Sequence, residues 1–293
     1  MQSVNASALE KALITYARVF PLRKGKLRVI DRLWRAAAGR RGTVRLAHLR
    51  YGGLKMPCDL AEMLQRQLYF FGTYFLEEHI LNCWVRIAKE AKVIFDVGAN
   101  SGIYSLAALA SQPNALVYAF EPTPEIASRL RQTAELNHLY NLIVHEVAVM
   151  RNSGKSILRR YRGDSGENEG MNYITSETGE LNVESVQTVC LDDFCRDHCI
   201  AHIDLLKLDV QGNEHSVLQG AEGLIKLGLL GTVVMELNWA DNMDVGCPAT
   251  QSVRLLAEHG YRFASPAHYN GWREAGSWLR GRSDILARRF EVD

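Results

Sequence analysis

The sequence predicts an α/β protein built on a doubly wound, parallel sheet, and three observations predict it. Short apolar runs at residues 93–97, 116–120, 142–149, 205–210 and 232–237 alternate with helical stretches at 103–109, 123–137, 191–198 and 214–227. Strands alternating with helices build βαβ units. The runs are continuously apolar rather than alternating, as strands are when helices bury both their faces. The first run ends in a glycine turn, Asp96-Val-Gly-Ala-Asn-Ser-Gly102, the place where open α/β sheets take their ligands.

The chain of 293 residues is long enough for one large domain and an appendage. Residues 1–90 are expected to form the appendage and 91–293 the main domain. Ser7-Ala-Leu-Glu10 fits a helix capping box, followed by a face of Leu9, Leu13, Tyr16 and Phe20 that Pro21 closes. A second helix carries Leu27, Ile30, Leu33, Trp34 and Ala37 on one side, with Lys26, Arg28, Arg32 and Arg35 on the other and Gly39 as its stop. Residues 43–49 and 54–60, joined around Tyr51-Gly52-Gly53, read as a β-hairpin. A helix over 74–89, with Ile80, Leu81, Trp84 and Ile87 inward, leads into the main domain. Residues 160–180 and 264–283 break the βα rhythm, and 283–290 reads as a final edge strand. A long polar loop inside a compact domain is functional or disordered; residues 160–180 are read as a lid or an insertion.

Apolar residues make up 47% of the chain and charged ones 23%, so a core forms without disulfides or metals. Residues 1–50 hold twelve Lys or Arg against Glu10 and Asp31, a net +10; with +1 overall, the remainder carries −9. That asymmetry points to an anionic partner for the N-terminus, or to a solvated or dimer-forming cap. An anionic membrane surface suits an amphipathic basic helix. Nucleic acid is disfavoured, because no aromatic-interleaved platform accompanies the cations. No apolar run approaches a membrane span, and the N-terminus lacks the layout of a signal peptide. Six cysteines without a framework read as reduced thiols. A cytoplasmic protein, peripheral to the membrane at most, is expected. Cys195, His198, Cys199 and His202 recur at helical spacing, but zinc sites draw ligands from separated elements, and no metal is expected.

The glycine turn carries the chemistry. Glycines at 98 and 102 let the backbone pass close beneath a ligand. The next strand delivers Glu121, 23 residues after Gly98, where an acid accepts hydrogen bonds from two vicinal ribose hydroxyls. A ribose-bearing ligand means a nicotinamide dinucleotide or S-adenosyl-L-methionine. This loop lacks the middle glycine that admits a pyrophosphate at a helix N-terminus. Asp96 also puts a carboxylate where a cationic cofactor with a free amino group is favoured. S-adenosyl-L-methionine is therefore the expected cofactor, against the alternative of a βα turn whose glycines serve packing alone.

Four ordered segments, Asp96-Val-Gly-Ala-Asn-Ser-Gly102, Phe120-Glu-Pro122, Val189-Cys-Leu-Asp-Asp-Phe194 and Asp204-Leu-Leu-Lys-Leu-Asp-Val-Gln-Gly-Asn-Glu214, resemble the FkbM family of class I methyltransferases. Leu68-Tyr-Phe-Phe-Gly-Thr-Tyr74 is similar to that family's lead-in, and the resemblance spans roughly residues 45–290. It implies a mostly parallel, Rossmann-like sheet of seven strands with one reversed, S-adenosylmethionine as donor, and O-methylation, commonly of sugar or polyketide hydroxyls. Carried over by position, Asp96, Gly98, Ala99, Asn100 and Gly102 surround the methionine part, Glu121 the ribose, and Glu146 to Ala148 the adenine, with Asn137 supporting that wall. Two departures stand out: Gln211 replaces an acid, and Phe75 stands where a glutamate often follows Gly-x-Tyr. A mechanism that needs acids at 211 or 75 does not carry over.

A hydroxyl acceptor has a high pKa, so a nearby base assists its methylation. Lys207, Asp209 and Glu214 lie at and just beyond the fourth strand's end, and Glu236 ends the fifth. Asp209 is the expected base or acceptor-orienting group, Lys207 keeps it ionised, and Glu214 or Glu236 binds the acceptor hydroxyl. A structural ion-pair network capping the sheet is the alternative reading. Asp164, Glu167, Asn168, Asn172 and Tyr173 offer a sugar-binding repertoire. Asn238, Tyr269 and Trp272 are further acceptor candidates. The expected activity is S-adenosylmethionine-dependent methylation of a small-molecule or glycan hydroxyl. Rival readings are a non-catalytic cofactor-binding or membrane-recruited scaffold, and an RNA methyltransferase. A homodimer is compatible with the sequence.

Overall fold

The computed structural model describes residues 7–38, 44–160, 162–163, 166–167, 172–175, 183–237, 248–279 and 283–290. In chain order the elements begin with α1 (Ala8–Val19), α2 (Lys26–Ala38), β1 (Val44–His48), β2 (Lys55–Asp59), α3 (Met63–Phe71) and α4 (Glu78–Ala88). The main sheet opens with β3 (Val93–Val97), α5 (Ile103–Ser111), β4 (Leu116–Phe120), α6 (Pro124–Leu136) and β5 (Leu142–His145). There follow β6 (Ala148–Val149), β7 (Gly154–Arg159), β8 (Arg162–Gly163), β9 (Gly166–Glu167), β10 (Tyr173–Thr175) and β11 (Val183–Val189). The chain then runs through α7 (Leu191–Asp197), β12 (Ile203–Leu208), α8 (Glu214–Gln219), α9 (Glu222–Leu227), β13 (Leu230–Glu236), α10 (Pro248–Glu258), β14 (Tyr261–Ala264) and β15 (Asp284–Arg289).

Seven strands form the main sheet in the order β14-β15-β13-β12-β3-β4-β5. Only β15 is reversed, pairing antiparallel with both β13 and β14. Alternate residues of each strand serve opposite cores. Ile94, Leu205 and Val234 point to the layer of α4 and α5, whereas Phe95, Leu206 and Val233 point to the layer of α7 to α10. Burial on both faces is why these strands read as unbroken apolar runs. Trp84 of α4 is fully buried and donates its indole N–H to the Tyr104 carbonyl at 2.9 Å, locking α4 onto α5. Truncation of such a side chain costs about 3–5 kcal/mol.

Several expectations change. The run 142–149 is two strands, of which β6 leaves the main sheet for a second one ordered β10-β7-β11-β6. That sheet was not legible, because Gly154–Arg159 and Val183–Val189 carry few apolar residues and no regular alternation. The last strand, β15, is interior; the edge is β14, too short at four residues to stand out. The expected helix 214–227 breaks into α8 and α9 at Gly220, where a Cβ would meet the Met150 carbonyl oxygen at 2.4 Å. The expected helix 74–89 starts only at Glu78, and a separate helix, α3, precedes it.

The capping box at α1 forms as expected, with Ser7 and Glu10 bonded reciprocally. The buried face of that helix is Glu10, Leu13 and Ala17 rather than the Leu9-to-Phe20 stripe. Glu10 is buried because Arg45 of β1 pairs with it at 2.8 Å. Lys26 is buried too, contrary to its expected place on a solvated face. Its ammonium bonds the Ala17 carbonyl at 3.0 Å and the Phe20 carbonyl, neutralising the carboxyl end of α1. On α2, Ile30 and Trp34 face inward, while Leu33 and Ala37 are exposed. Among the described residues, no helix is long and apolar enough to cross a membrane.

Candidate active site

The turn after β3 is shaped by contact with the turn after β12. Gly98 has φ +79°, and a Cβ there would lie 1.9 Å from the Asp209 carbonyl oxygen. The Asp209 N–H donates to the Val97 carbonyl at 3.1 Å, so the two turns are fused through their backbones. Gly102, at φ +80°, begins α5, where a Cβ would press to 2.2 Å from a methyl of Leu130. Neither site admits a side chain. Between them Asn100 is also left-handed, at φ 48°. Its N–H donates to Glu121 Oε2 at 3.0 Å, while Glu121 Oε1 accepts the Thr123 N–H at 2.9 Å. Two main-chain donors thus fix the Glu121 carboxylate at the end of β4.

A cavity of about 330 Å³ opens over these turns. The sheet order sets its walls in a row along the carboxyl edge: Glu236 after β13, Asp209 after β12, Gly98 to Asn100 after β3, Glu121 after β4, and Ala148 beyond β5. Asn172, Tyr173 and Ile174 close it from the second sheet. The Asn213 amide bonds the Ile174 carbonyl at 3.2 Å, tying that wall to the turn before α8. This part of the expected lid is therefore an ordered strand edge; Asp164 and Asn168 lie outside the described residues.

Other expected site residues fall elsewhere. Asp96 is buried under the turn, where its Oδ2 accepts the Ser105 N–H at 3.0 Å and the Ser105 hydroxyl at 2.6 Å. It caps α5 from below and is absent from the cavity lining, as is Gly102. Asn137 clasps Lys55 of β2 in both directions, at 2.7 and 2.6 Å, and so joins the hairpin to α6 instead of supporting an adenine wall. Glu146 is exposed and paired with Arg131 at 3.0 Å. Glu214 turns back to accept the N–H groups of Gly212 at 3.0 Å and Val210 at 3.3 Å, so it closes its own turn and does not reach an acceptor. Tyr269 packs on the α4 layer with the Arg86 guanidinium 5.7 Å from its ring. Asn238 lies outside the described residues.

At the β12–β13 end, four side chains interlock. Lys207, 3% exposed, sits behind Asp209 with its ammonium 3.3 Å from Oδ2 and 4.8 Å from the centre of the Tyr104 ring. Burial opposes its charge, but Asp209, Glu77, Asp96 and Glu236 outweigh burial and raise its pKa. Gln211 donates to Asp209 Oδ1 at 2.9 Å and reaches Glu236 at 3.5 Å. Asp209 and Glu236 are hydrogen-bonded to one another. Burial, then the charge of Asp209, pushes the Glu236 carboxyl up to about 8. Burial opposes ionisation of Asp209 as well, yet Lys207 and the hydrogen bonds from Glu236 and Gln211 hold it below the usual carboxylate range. The pair therefore holds one shared proton near neutrality.

Sequence reasoning missed Glu77 and Tyr104. Both line the cavity, and the Tyr104 hydroxyl donates to Glu77 Oε2 at 2.8 Å. Burial raises the Glu77 carboxyl. Phe75, the position that lacks the family's acid, stacks on Phe71 with ring centres 4.3 Å apart; Glu77, two residues on, brings a carboxyl into the cavity. Among the described residues, no group of three or more His, Cys, Asp or Glu is arranged to hold a metal ion.

Residues 96–263, more than half of the chain, match the Methyltransferase FkbM domain. The chain belongs to the FkbM methyltransferase family. That family uses S-adenosylmethionine, and the seven-stranded sheet has the Rossmann-like strand order. The 2-O-methyltransferase NoeI of Sinorhizobium fredii is 30% identical over 148 residues, which are 46% of this chain and 60% of NoeI. The 31-O-demethyl-FK506 methyltransferase FkbM of Streptomyces tacrolimicus is 30% identical over 207 residues, 61% of this chain and 77% of that protein. This FkbM-family chain thus spans less than two thirds of NoeI. A solved O-methyltransferase from Bacillus cereus in complex with SAH overlaps 96% of both chains at 13% identity and a TM-score of 0.40. Strand order, rather than so distant an overlap, carries the fold assignment.

Proposed function

We propose that this methyltransferase acts on a hydroxyl of a sugar or another small-molecule or glycan acceptor, with Glu236 as the base that Asp209 tunes. One observation carries the reading: a hydrogen-bonded carboxyl pair lines the cavity, with Lys207 buried behind it. When bound, S-adenosylmethionine supplies an electrophilic methyl group on a sulfonium. The chain's own groups supply alignment, exclusion of water and removal of the hydroxyl proton. Asp209, held ionised by Lys207, is too weak a base on its own. Once Glu236 is also ionised, the pair binds a proton at about 8, well matched to an alcohol losing its proton as the methyl group arrives. Gln211 bridges both carboxyls and keeps them converged.

The residues suit the donor. The Gly98 turn gives a floor free of side chains, Glu121 offers a fixed carboxylate for two ribose hydroxyls, and Ala148 an apolar wall for the adenine. Asn172, Gln211 and Glu77 give the cavity the mixed donors and acceptors that a polyhydroxyl ligand needs. The names of both relatives specify an oxygen position, which supports a hydroxyl here. A turnover screen tests the reading: S-adenosylhomocysteine release is scored over sugars, glycolipids and amides. Release with a hydroxyl acceptor, lost in Glu236→Gln, supports it. Turnover only with amide or amine acceptors defeats it.

A further inference from the structure

We propose that the corner between α1 and α2 is a docking surface for a membrane that carries anionic lipid. This goes beyond the methyl-transfer reading and stands on a different part of the molecule. The corner and the outer side of α2 expose Val19, Phe20, Leu22, Val29 and Leu33, each between 42% and 75%. Leu76, 62% exposed, lines a groove between this corner and α3 together with Phe75, Arg23, Lys24 and Arg28. Exposed apolar side chains gathered beside cations in this way mark an interaction surface.

Helix geometry sorts α2 into three stripes. Ile30 and Trp34 point into the core. Arg28, Arg32 and Arg35, spaced i, i+4, i+7, form one exposed stripe. Val29, Leu33 and Ala36, each one residue further on, form the exposed stripe beside it. A helix with a cationic flank next to an apolar flank lies in the plane of a bilayer interface, its aliphatic chains among the acyl chains and its cations at the headgroups.

The charge of the surface is compensated only in part among the described residues. Asp31 is taken up by Arg66 at 2.8 Å and Arg35 at 2.9 Å, and Glu78 by Arg23 and Arg50. Lys24, Arg28 and Arg32 make no ion pair among the described residues. These features choose the occupant. A second copy of the chain would set the same cations against one another. Nucleic acid would meet the cations but gain nothing from Leu22, Leu33 and Leu76, since bases stack on aromatic rings. An anionic bilayer satisfies both stripes at once. The segment between groove and cavity is shared: Phe75 and Leu76 line the groove, while Tyr74 and Glu77 line the cavity.

Flotation of the full chain with phosphatidylcholine vesicles, with and without phosphatidylserine, tests the proposal. Binding to the phosphatidylserine vesicles is expected, lowered about fivefold by each of Arg28→Gln and Arg32→Gln and weakened between about 0.1 M and about 0.5 M salt. Leu22→Ser and Leu33→Ser together are expected to lower it at least about tenfold. Arg196→Gln on α7, in the helix layer across the sheet, leaves it unchanged. Unaltered S-adenosylhomocysteine binding by the variants shows that they fold. Equal binding with and without phosphatidylserine, or arginine variants that float like the wild type, overturns the proposal. So does a dimer in light scattering that Leu22→Ser dissociates, which assigns the patch to a second copy, or RNA binding that exceeds vesicle binding.

Discussion

The two halves of the sheet's carboxyl edge hold their functional groups by opposite means. Beyond β3 and β4 the work falls to the main chain: Glu121 is pinned by two backbone N–H groups, and the floor is a turn without side chains. Beyond β12 and β13, carboxyls are held by side chains, with Gln211, Lys207 and each other as partners. Backbone donors do not titrate, so the hydrogen bonds that hold Glu121 do not change with pH. The second half shares a proton and can move it.

The strongest way to break this division is at Gly98, where the halves touch. Gly98→Ala places a methyl group 1.9 Å from the Asp209 carbonyl at a positive φ. It is expected to cost more than about 2 kcal/mol in urea unfolding and to abolish S-adenosylhomocysteine binding in calorimetry. Wild-type affinity would show that the halves are not fused. Next comes Glu236→Gln, expected to lower kcat about 10²–10⁴-fold at unchanged cofactor affinity. In the wild type, log kcat/KM should rise with pH until Glu236 has lost its proton near 8, then level off. The sign follows because only the doubly ionised pair is a competent base. The variant's profile should be flat through that range.

Glu121→Ala sharpens the other half. Loss of a charged acceptor is expected to weaken S-adenosylhomocysteine by about ten- to a hundredfold, with kcat at saturating donor nearly unchanged. A fall in kcat alone would move Glu121 across the divide. The smallest effect is expected from Gln211→Glu. A third carboxylate beside the pair raises its proton affinity, so the rising limb shifts to higher pH and activity at neutrality drops a few-fold. A pH–rate profile checks it; a shift to lower pH would contradict the shared proton.

The sequence disclosed these halves unequally. The turn after β3 was readable at Gly98, because a turn that excludes side chains must be written in glycine. Asp209 and Glu236 were readable as strand-end acids, but their shared proton was not, since it depends on β12 and β13 lying side by side. Glu77 escaped notice because it enters the cavity from outside the βα repeat, held by a tyrosine 27 residues away. The second sheet was hidden by its composition. Asn137, Glu146 and Tyr269 fall outside the cavity for a common reason: position in the chain says little about direction, and each side chain has a nearer partner.

Asp96 has one more implication, for what the pocket refuses. The opening turn of a helix after a glycine-rich loop ordinarily attracts phosphate, but here a buried anion of the protein already occupies the Ser105 N–H from beneath. A redox dinucleotide arriving at α5 would find its docking point filled and a like charge behind it. With that N–H already taken, the start of α5 is poorly suited to hold a phosphate.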